Sequence, residues 1–242
     1  MSVDLAGLSL VERLKALRES LVGRLVFTTS FGLEDQAITH AIAATGLDIK
    51  LATLDTGRLF PETYDLWAET EGLYGLRIEV HSPDRTELEA LVARDGINGF
   101  RRSVELRKAC CGTRKVRPLA RALAGAAGWI TGLRAEQSAF RSGTGFVIWD
   151  EAYAIIKLAP LADWSRDAVT RYVEANGVPV NPLHARGFPS LGCAPCTRAV
   201  QPGEPERAGR WWWELEGKQE CGLHGRPGAL RSNEFRSAAS ES

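Results

Sequence analysis

The sequence predicts an α/β fold in which helices cover both faces of a parallel β-sheet. Short apolar segments alternate with helical ones through the N-terminal half of the chain, and this βαβαβα order is typical of a parallel sheet with crossover helices. The 242 residues are 44% apolar and 25% charged, which is ordinary for a globular protein with a sizeable core. Basic and acidic residues number 30 each, so the charge balance gives no support for a general affinity for nucleic acid or anionic membranes.

The predicted elements of the N-terminal half come in a regular order. Leucines at helical spacing between Leu10 and Leu21 predict an amphipathic opening helix. We expect Gly46 to end the next helix and Pro61 to begin the one after it, because glycine favours the position past a helix C-terminus and proline the first helical turn. The expected strands are 24–31, which runs into a Ser/Gly turn, 48–57, which includes a turn, and 76–83, and the expected helices are 33–45, 61–73 and 84–94.

The C-terminal half is less regular, and its composition changes after residue 177. A helical stretch with a break near Gly112 precedes the fourth strand. Residues 178–210 are rich in Pro, Gly and Arg and are expected to be mostly loop. The remaining expected elements are the helical stretch at 103–125, a strand with a loop at 128–138, strands at 146–149, 153–158 and 211–216, and a helix at 165–177.

Three loops follow predicted strands, and their sequences are TSFGLED, LDTGR and TGLRAEQS. The carboxyl ends of parallel strands meet at one edge of the sheet, where ligands of such folds bind. Small residues, hydroxyls and arginines in these loops suit a phosphorylated or sulfated nucleotide, since backbone N–H groups at a helix N-terminus stabilise anions. Taken singly, each loop also fits an ordinary turn between a strand and a helix.

Five cysteines need an explanation other than structural disulfides. No apolar run reaches the ~20 residues that span a bilayer, and the N-terminus lacks the pattern of a signal sequence, so a cytoplasmic location is expected, where thiols stay reduced. Four cysteines stand in KACCGTRK and GCAPC. An adjacent pair with a distant C-x-x-C suits an iron–sulfur cluster better than zinc, although zinc and a redox disulfide remain open. Cys221 is left over, as a candidate nucleophile or as an incidental surface cysteine.

The chain resembles the iron–sulfur branch of the APS/PAPS reductase family, the assimilatory adenylylsulfate (APS) reductases. The resemblance extends from about residue 28 to 225. LDTG alone is weakly specific, whereas CC, GCxPCTR and ECGLH in that order are highly specific. The segments that carry it are SFGLEDQAITH, TLDTGRLFPETY, CCGTRKVRPL, WITGLRAEQS, GCAPCTRAV, GRWWWE and KQECGLHG.

The resemblance implies a fold like that of the adenine-nucleotide α-hydrolases (ATP-pyrophosphatase-like), with a modified phosphate loop and a mobile C-terminal segment. ATP pyrophosphatases of that superfamily carry S-G-G-x-D-S, whereas this chain reads Ser-Phe-Gly-Leu-Glu-Asp from Ser30 to Asp35. The departure argues against pyrophosphate release from ATP and fits a loop that holds APS. The implied organisation is a reductase domain at 1–200, a segment with the catalytic cysteine at 201–225 and a disordered tail at 226–242.

The resemblance also implies a reaction, a cofactor and partners. The Cys221 thiolate would attack the sulfur of APS, expel AMP and form an S-sulfocysteine, which reduced thioredoxin or a similar dithiol protein would convert to free sulfite. A [4Fe–4S] cluster with a structural and electrostatic role would be held by Cys110, Cys111, Cys193 and Cys196. The family further implies a homo-oligomer, without a nucleic-acid or membrane partner.

Cations must offset the repulsion between an anionic substrate and an attacking thiolate, and the family's motifs supply them. The positions carried over for substrate binding are Lys115, Arg134, Arg207 and Arg210, with His224 near the nucleophile, Ser30, Phe31 and Gly32 in the phosphate loop, and Leu54, Asp55 and Gly57 beside the adenine. Trp211, Trp212 and Trp213 are expected to anchor the C-terminal segment, because large aromatic residues dominate packing energy.

Three alternatives stand beside this interpretation. The first is the same reaction on PAPS, although PAPS reductases of the family usually lack the cluster cysteines. The second is an ATP-dependent RNA-thiolating enzyme of the same fold, against which the phosphate loop and the zero net charge both count, because RNA binding usually needs a basic face. The third is a non-enzymatic zinc module whose cysteines serve folding.

Overall fold

The computed structural model describes residues 5–138, 141–214, 223 and 228–229, and within them it shows a seven-stranded, mostly parallel sheet. From β3 to β6 the neighbouring strands are parallel, whereas β5 runs antiparallel to both β6 and β7. In sheet order the strands are β3 (Glu79–Val80), β2 (Lys50–Thr53), β1 (Leu25–Thr29), β4 (Gly128–Ile130), β6 (Ile155–Leu158), β5 (Val147–Asp150) and β7 (Gly228–Ala229).

The helices begin and end largely where local signals indicate. Ser9 caps α1 in a reciprocal capping box with Glu12, Gly46 takes a φ of 62° past the end of α2, and Pro61 opens α3. These signals act through neighbouring backbone groups and therefore need no tertiary context. The helices are α1 (Leu10–Ser20), α2 (Leu33–Thr45), α3 (Pro61–Tyr74), α4 (Arg85–Asp95), α5 (Val104–Cys111), α6 (Arg117–Leu123) and α7 (Arg166–Ala175), and a π-helix (Gly112–Val116) joins α5 to α6.

Two hydrophobic cores cover the two faces of the sheet, as the sequence predicts. Phe27 of β1 packs with residues of α1, α2 and α7 in the larger core, whereas its neighbour Val26 packs with residues of α6 in the second core. Successive side chains of a strand point to opposite faces, so a continuous apolar run such as β1 must be covered on both sides. The α/β prediction with helices on both faces is confirmed.

Some strands are shorter than the sequence predicts, and one is wrong. The strand expected at 76–83 covers only Glu79–Val80, and in the strand and loop expected at 128–138 the strand is Gly128–Ile130. For 211–216, the described part at 211–214 is a turn, in which Glu214 N donates to Trp211 O at 3.0 Å. Trp211 takes a φ of 47° there, far from strand backbone, and its side chain is buried. The packing of a large aromatic ring overrides the strand preference of consecutive tryptophans.

At the C-terminal end, β7 stands where disorder is expected. Gly228 and Ala229 pair with Trp149 and Ile148 of β5, so at these two positions an edge strand replaces the tail predicted at 226–242. The other residues of that tail lie outside the described ranges. Among the described residues, no helix combines the length and the apolar character that crossing a membrane requires.

Candidate active site

A cavity of about 180 Å³ opens at the carboxyl ends of β1, β2 and β4, where the three loops singled out in the sequence meet. A fourth loop at 189–192 and the segment at 206–211 complete its wall. Of the predicted substrate-binding residues, those that line the cavity are Ser30, Phe31, Gly32, Leu54, Lys115, Arg207 and Arg210. Topology thus brings together residues that are far apart in the sequence.

The phosphate loop turns sharply between β1 and α2. Phe31 takes a φ of 59°, a left-handed conformation that glycine adopts more easily. Its ring is buried and stacks on Trp67 with 5.7 Å between the ring centroids. Phe31 therefore packs its ring into the core, and the loop rather than the phenyl group shapes the cavity. Gly32 follows as the N-cap of α2.

Asp35 braces this loop from the first turn of α2. Its Oδ2 accepts hydrogen bonds from Ser30 N at 2.6 Å and Ser30 Oγ at 2.7 Å. Burial raises the pKa of Asp35 to about 6, against the lowering effect of the Ser30 hydrogen bonds. A Cβ at Gly132 would lie 2.4 Å from Asp35 Oδ1, so the loop after β4 needs glycine at this close approach.

Lys115, Arg207 and Arg210 give the cavity a basic side. Arg210 is buried, its Nη1 donates to Leu191 O at 2.8 Å, and its guanidinium lies 4.8 Å from the centroid of the Trp211 ring. A Cβ at Gly192 would lie 2.2 Å from Arg210 Nη2, so this glycine leaves room for the guanidinium. Planar guanidinium groups pair well with phosphate and sulfate oxygens.

Arg134 does not line the cavity, in contrast to its predicted substrate contact. It is completely buried, and its Nε donates to Glu34 Oε1 at 2.8 Å while its Nη2 donates to Glu206 Oε2 at 3.1 Å. Both of these carboxylates do line the cavity. The structure therefore places Arg134 behind the wall, as the partner of two acidic wall residues.

Asp55 and Gly57 also lie outside the cavity lining, although Leu54 and Thr56 of the same loop belong to it. Asp55 Oδ1 accepts hydrogen bonds from Gly57 N at 2.8 Å and from the Tyr64 hydroxyl at 2.7 Å. Burial and the Asp55 hydrogen bond raise the pKa of Tyr64 to about 12. Asp55 and Gly57 thus shape the turn, for which Gly57 takes a φ of 67°.

A second, smaller cavity of about 20 Å³ lies next to the first and contains the four paired cysteines in its wall. Cys110 and Cys111 end α5, Cys193 is the N-cap of a short 3₁₀ turn, and Cys196 is the last residue of that turn. The basic residues around them are Arg58, Arg107, Arg114 and Lys115, and Lys115 also lines the first cavity.

The electrostatics of this second cavity favour a thiolate at Cys193. Burial alone would raise its pKa, but the charge of Lys115, the Thr56 hydrogen bond at 3.3 Å and nearby arginines together lower it. Burial raises the pKa of Cys110, and it raises that of Cys196 to about 11, with a further contribution from Cys193. A bound cation or metal cluster would be needed to hold all four as thiolates at neutral pH.

The four thiols form a donor set that suits a metal centre, since all four line one cavity. Four thiolates can bind a single zinc ion. They equally suit a [4Fe–4S] cubane, which takes one thiolate at each iron corner.

Three further contacts connect the second cavity with the C-terminal segment. Arg107, one turn before Cys111 on α5, forms a buried ion pair with Glu214, and its Nη2 donates to Glu214 Oε2 at 3.1 Å. The Arg107 guanidinium lies 4.5 Å from the centroid of the Trp211 ring. Trp211 N donates to Cys196 O at 3.2 Å. The predicted anchoring role of the tryptophans agrees with this packing, at least for Trp211.

Cys221 and His224, predicted as nucleophile and neighbour, lie outside the described residues. Leu223, which stands two positions after Cys221 in the sequence, is described and lines the first cavity. It packs against the second hydrophobic core, next to α6, and against the small hydrophobic group that contains Cys111 and Trp211.

Several lining residues were not found by sequence reasoning. Thr28 and Thr29 end β1, and the Thr28 hydroxyl accepts a hydrogen bond from Trp129 Nε1 at 2.8 Å. Threonines at the end of a strand are a weak indication of a binding site, because the preference of threonine for strands already explains their presence. Other lining residues missed are Thr53, Thr63, Arg141, Ser190 and Glu206, whereas Thr29, Thr56, Thr131 and Gln137 belong to the three loops singled out in the sequence.

Comparisons with known proteins identify the family of this chain. Residues 24–199 match the family model described as the phosphoadenosine phosphosulfate reductase domain. An adenosine 5'-phosphosulfate reductase of Rhizobium meliloti (strain 1021) is 57% identical over 223 residues, which cover 92% of this chain and 82% of that relative. The enzyme with the same name from Allochromatium vinosum is 50% identical over 207 residues, which cover 86% of this chain and 81% of that relative.

Solved structures show the same architecture. The crystal structure of phosphoadenylyl-sulfate (PAPS) reductase from Candida auris, a phosphate complex, superposes with a TM-score of 0.68 at 28% identity and covers 81% of this chain and 92% of that chain. FMN adenylyltransferase from Candida glabrata superposes with a TM-score of 0.52 at 16% identity, covering 96% of this chain and 81% of that chain, and shares the fold alone. By its family match and by its relatives, this chain belongs to the phosphoadenosine phosphosulfate reductase domain family.

Proposed function

We propose that this protein is an oxidoreductase that reduces adenosine 5'-phosphosulfate (APS) to sulfite and AMP in sulfate assimilation. The observation that carries the proposal is the pair of adjoining cavities, one with a phosphate loop and four basic residues, the other with four cysteines, both lined by Lys115. Relatives at 50% identity and above are named adenosine 5'-phosphosulfate reductase, which supports APS as the substrate.

In the proposed reaction, the Cys221 thiolate attacks the sulfur of APS. A bond forms between the cysteine sulfur and the sulfate sulfur, the bond from that sulfur to the bridging oxygen breaks, and AMP leaves with the electron pair. A dithiol protein such as reduced thioredoxin then attacks the S-sulfocysteine and releases sulfite, and its second thiol frees Cys221 as the dithiol becomes a disulfide. Leu223 in the cavity wall supports Cys221 as the nucleophile of this site.

The basic side of the cavity would hold the phosphosulfate. Lys115, Arg207 and Arg210 line it, and cations placed there reduce the repulsion between the substrate's two anionic groups and the approaching thiolate. The loop from Ser30 to Gly32 before α2 would bind the neighbouring part of the nucleotide, since a helix N-terminus favours anions.

A [4Fe–4S] cluster would be held by Cys110, Cys111, Cys193 and Cys196, which line one cavity. When bound, it would join the end of α5 to the 193–196 turn and contribute about two negative charges beside the basic side chains, by formal counting for a cubane with four thiolates. Arg107, Arg114 and Lys115 in the same wall would offset that charge.

The closest competing function is the same reaction on PAPS, the substrate named for the Candida auris structure. The acidic side chains in the cavity wall and the four paired cysteines favour APS in this proposal. Neither a zinc module nor an RNA-thiolating enzyme accounts for the two adjoining cavities or for the relatives named adenosine 5'-phosphosulfate reductase. We further propose a cytoplasmic homo-oligomer that works with a dithiol protein and has no nucleic-acid or membrane partner.

The decisive experiment is intact-mass spectrometry of the anaerobic protein after addition of APS without reductant, with PAPS in parallel. The expected result is a gain of one SO₃ group on Cys221, which reduced thioredoxin releases as sulfite. A Cys221→Ser variant that keeps its iron is the matched control and should gain nothing. Faster labelling by PAPS would overturn the substrate assignment, and sulfite production by Cys221→Ser would overturn the mechanism.

A further inference from the structure

Two glutamates, Glu34 and Glu206, stand with Asp35 in the wall of a cavity that the proposed function fills with an anion. Glu34 belongs to the first turn of α2 and Glu206 to the segment that also carries Arg207 and Arg210. Both side chains are largely buried. Where the effective dielectric constant is low, carboxylates in the cavity wall that lack a cationic partner would oppose the binding of a phosphosulfate group.

Arg134 lies directly behind these two carboxylates. Its side chain is 0% exposed, and it does not belong to the cavity wall. Its Nε donates to Glu34 Oε1 at 2.8 Å, and its Nη2 donates to Glu206 Oε2 at 3.1 Å. One planar guanidinium thus binds two carboxylates through different nitrogens, which a lysine ammonium would not reproduce with the same geometry.

The neighbouring groups compensate the negative charge of Glu206 better than that of Glu34. Glu206 has a second cation, since Arg166 Nη1 lies 3.3 Å from its Oε1. Glu34 Oε1 additionally accepts a hydrogen bond from the neutral amide of Gln137 at 3.1 Å. The carboxylate of Glu136 is more distant, at 3.7 Å from Arg134 Nη1, and mostly exposed. Loss of Arg134 would therefore leave Glu34 as the more poorly compensated charge.

We infer that Arg134 is a positioning residue that neutralises Glu34 and Glu206 beside the bound anion and fixes the segment carrying Arg207 and Arg210, without itself touching the substrate. The inference rests on the proposed function, and it replaces the substrate contact expected for Arg134 from the sequence. It connects the phosphate-loop helix to the arginine segment through contacts that span 100 and 72 positions of the chain.

The test compares an anionic ligand with its neutral counterpart. AMP and adenosine share the nucleoside but differ in the phosphate, so a charge effect acts on AMP alone. Dissociation constants are measured for the iron-loaded protein by quenching of tryptophan fluorescence, since Trp129 and Trp211 line the cavity. In Arg134→Gln, we expect AMP to bind about tenfold more weakly and adenosine to change by less than about twofold.

The double variant distinguishes an effect of the uncompensated charge on AMP affinity from an effect of a disturbed site structure. In Arg134→Gln/Glu34→Gln the uncompensated carboxylate is removed, and AMP affinity is expected to return to within about threefold of wild type. Glu204→Gln is the matched control, because Glu204 stands two positions before Glu206, pairs with Arg198 at 2.7 and 2.8 Å and does not line the cavity. Its affinities for both ligands should equal those of wild type.

Different failures have different meanings. Equal weakening of AMP and adenosine in Arg134→Gln, or a double variant no better than the single one, would show a merely structural role and overturn the inference. If Arg134→Gln does not fold, the affinities are measured for Glu34→Gln alone. The preference of this variant for AMP over adenosine should be higher than that of wild type. An unchanged or reduced preference refutes the inference. A wild-type protein that binds neither ligand would instead refute the proposed function.

Discussion

At the residue scale, Phe31 shows how a site loop keeps a glycine-like backbone without glycine. Its φ of 59° costs about 1–2 kcal/mol for an L-residue. Burial of the ring against Trp67 contributes about 2–3 kcal/mol relative to exposure. The two effects nearly offset each other, so the phosphate loop retains its sharp turn while its side chain becomes part of the larger core.

This balance predicts an unusual order of stability at position 31. Phe31→Gly and Phe31→Ala both lose the ring and are expected to reduce the free energy of unfolding by about 2–4 kcal/mol. The Phe31→Gly variant should nevertheless be more stable than Phe31→Ala by up to about 1 kcal/mol, because the alanine at position 31 would still be strained in the left-handed backbone conformation. Urea denaturation of the two variants measures the difference, and an alanine variant at least as stable as the glycine variant would contradict the assigned backbone conformation.

At the element scale, the π-helix between α5 and α6 is the feature that joins the two cavities. It spans Gly112–Val116, where the sequence predicts a break near Gly112. A π-helical turn contains more residues than an α-helical one and is frequent at functional sites. Here it follows the two cysteines directly, places Lys115 in both cavity walls and lets Arg114 Nη1 donate to Thr56 O at 2.5 Å.

Lys115→Ala tests this shared element. The variant is expected to lose about a hundredfold in kcat/KM for APS, because a charge facing the phosphosulfate is removed, while its iron content stays at the wild-type level. Steady-state kinetics and iron analysis measure the two quantities. Lys115→Arg is the control that keeps the charge and should retain more activity than Lys115→Ala. Wild-type kinetics in Lys115→Ala would remove this lysine from the site.

At the scale of the whole molecule, the cysteine cavity is where distant parts of the chain are tied together. Cys193 contacts the Thr56 hydroxyl at 3.3 Å, and Ala194 N donates to Arg58 O at 2.8 Å, which connects the 193–196 turn to the loop after β2. The Arg107–Glu214 ion pair adds the C-terminal segment to α5. Because breaking a buried ion pair leaves an unpaired charge, this connection resists local opening.

Loss of the proposed cluster should therefore destabilise the molecule as well as inactivate it. Cys193→Ser is expected to lose iron and activity together and to unfold at a temperature lower by about 5 °C or more. Iron analysis and thermal denaturation followed by circular dichroism measure both effects. Cys221→Ser, the same substitution outside the predicted ligand set, should keep its iron and its unfolding temperature. A colourless but fully active Cys193→Ser protein would exclude a required cluster.

The sequence predicts the framework of the fold better than the detail of the site. The strand and helix order, the two covered faces and the helix ends at Gly46 and Pro61 are confirmed by the structure. Within the site, Lys115, Arg207 and Arg210 line the cavity as predicted from the family motifs, whereas Asp55, Gly57 and Arg134 do not. The local turn at Asp55 and the buried carboxylates at Arg134 explain these differences.

What the sequence determined by itself is local: apolar periodicity, capping residues and the spacing of the cysteine pairs all act within a few neighbouring residues. The tertiary structure alone decided which side of the cavity wall an arginine occupies. Arg134 and Arg210 look alike in the sequence, yet Arg134 faces Glu34, 100 positions away, and Arg210 lies over Trp211 in the cavity wall. The physical reason is that a buried charge takes its role from the partners that packing brings to it, and those partners are set by the sheet topology.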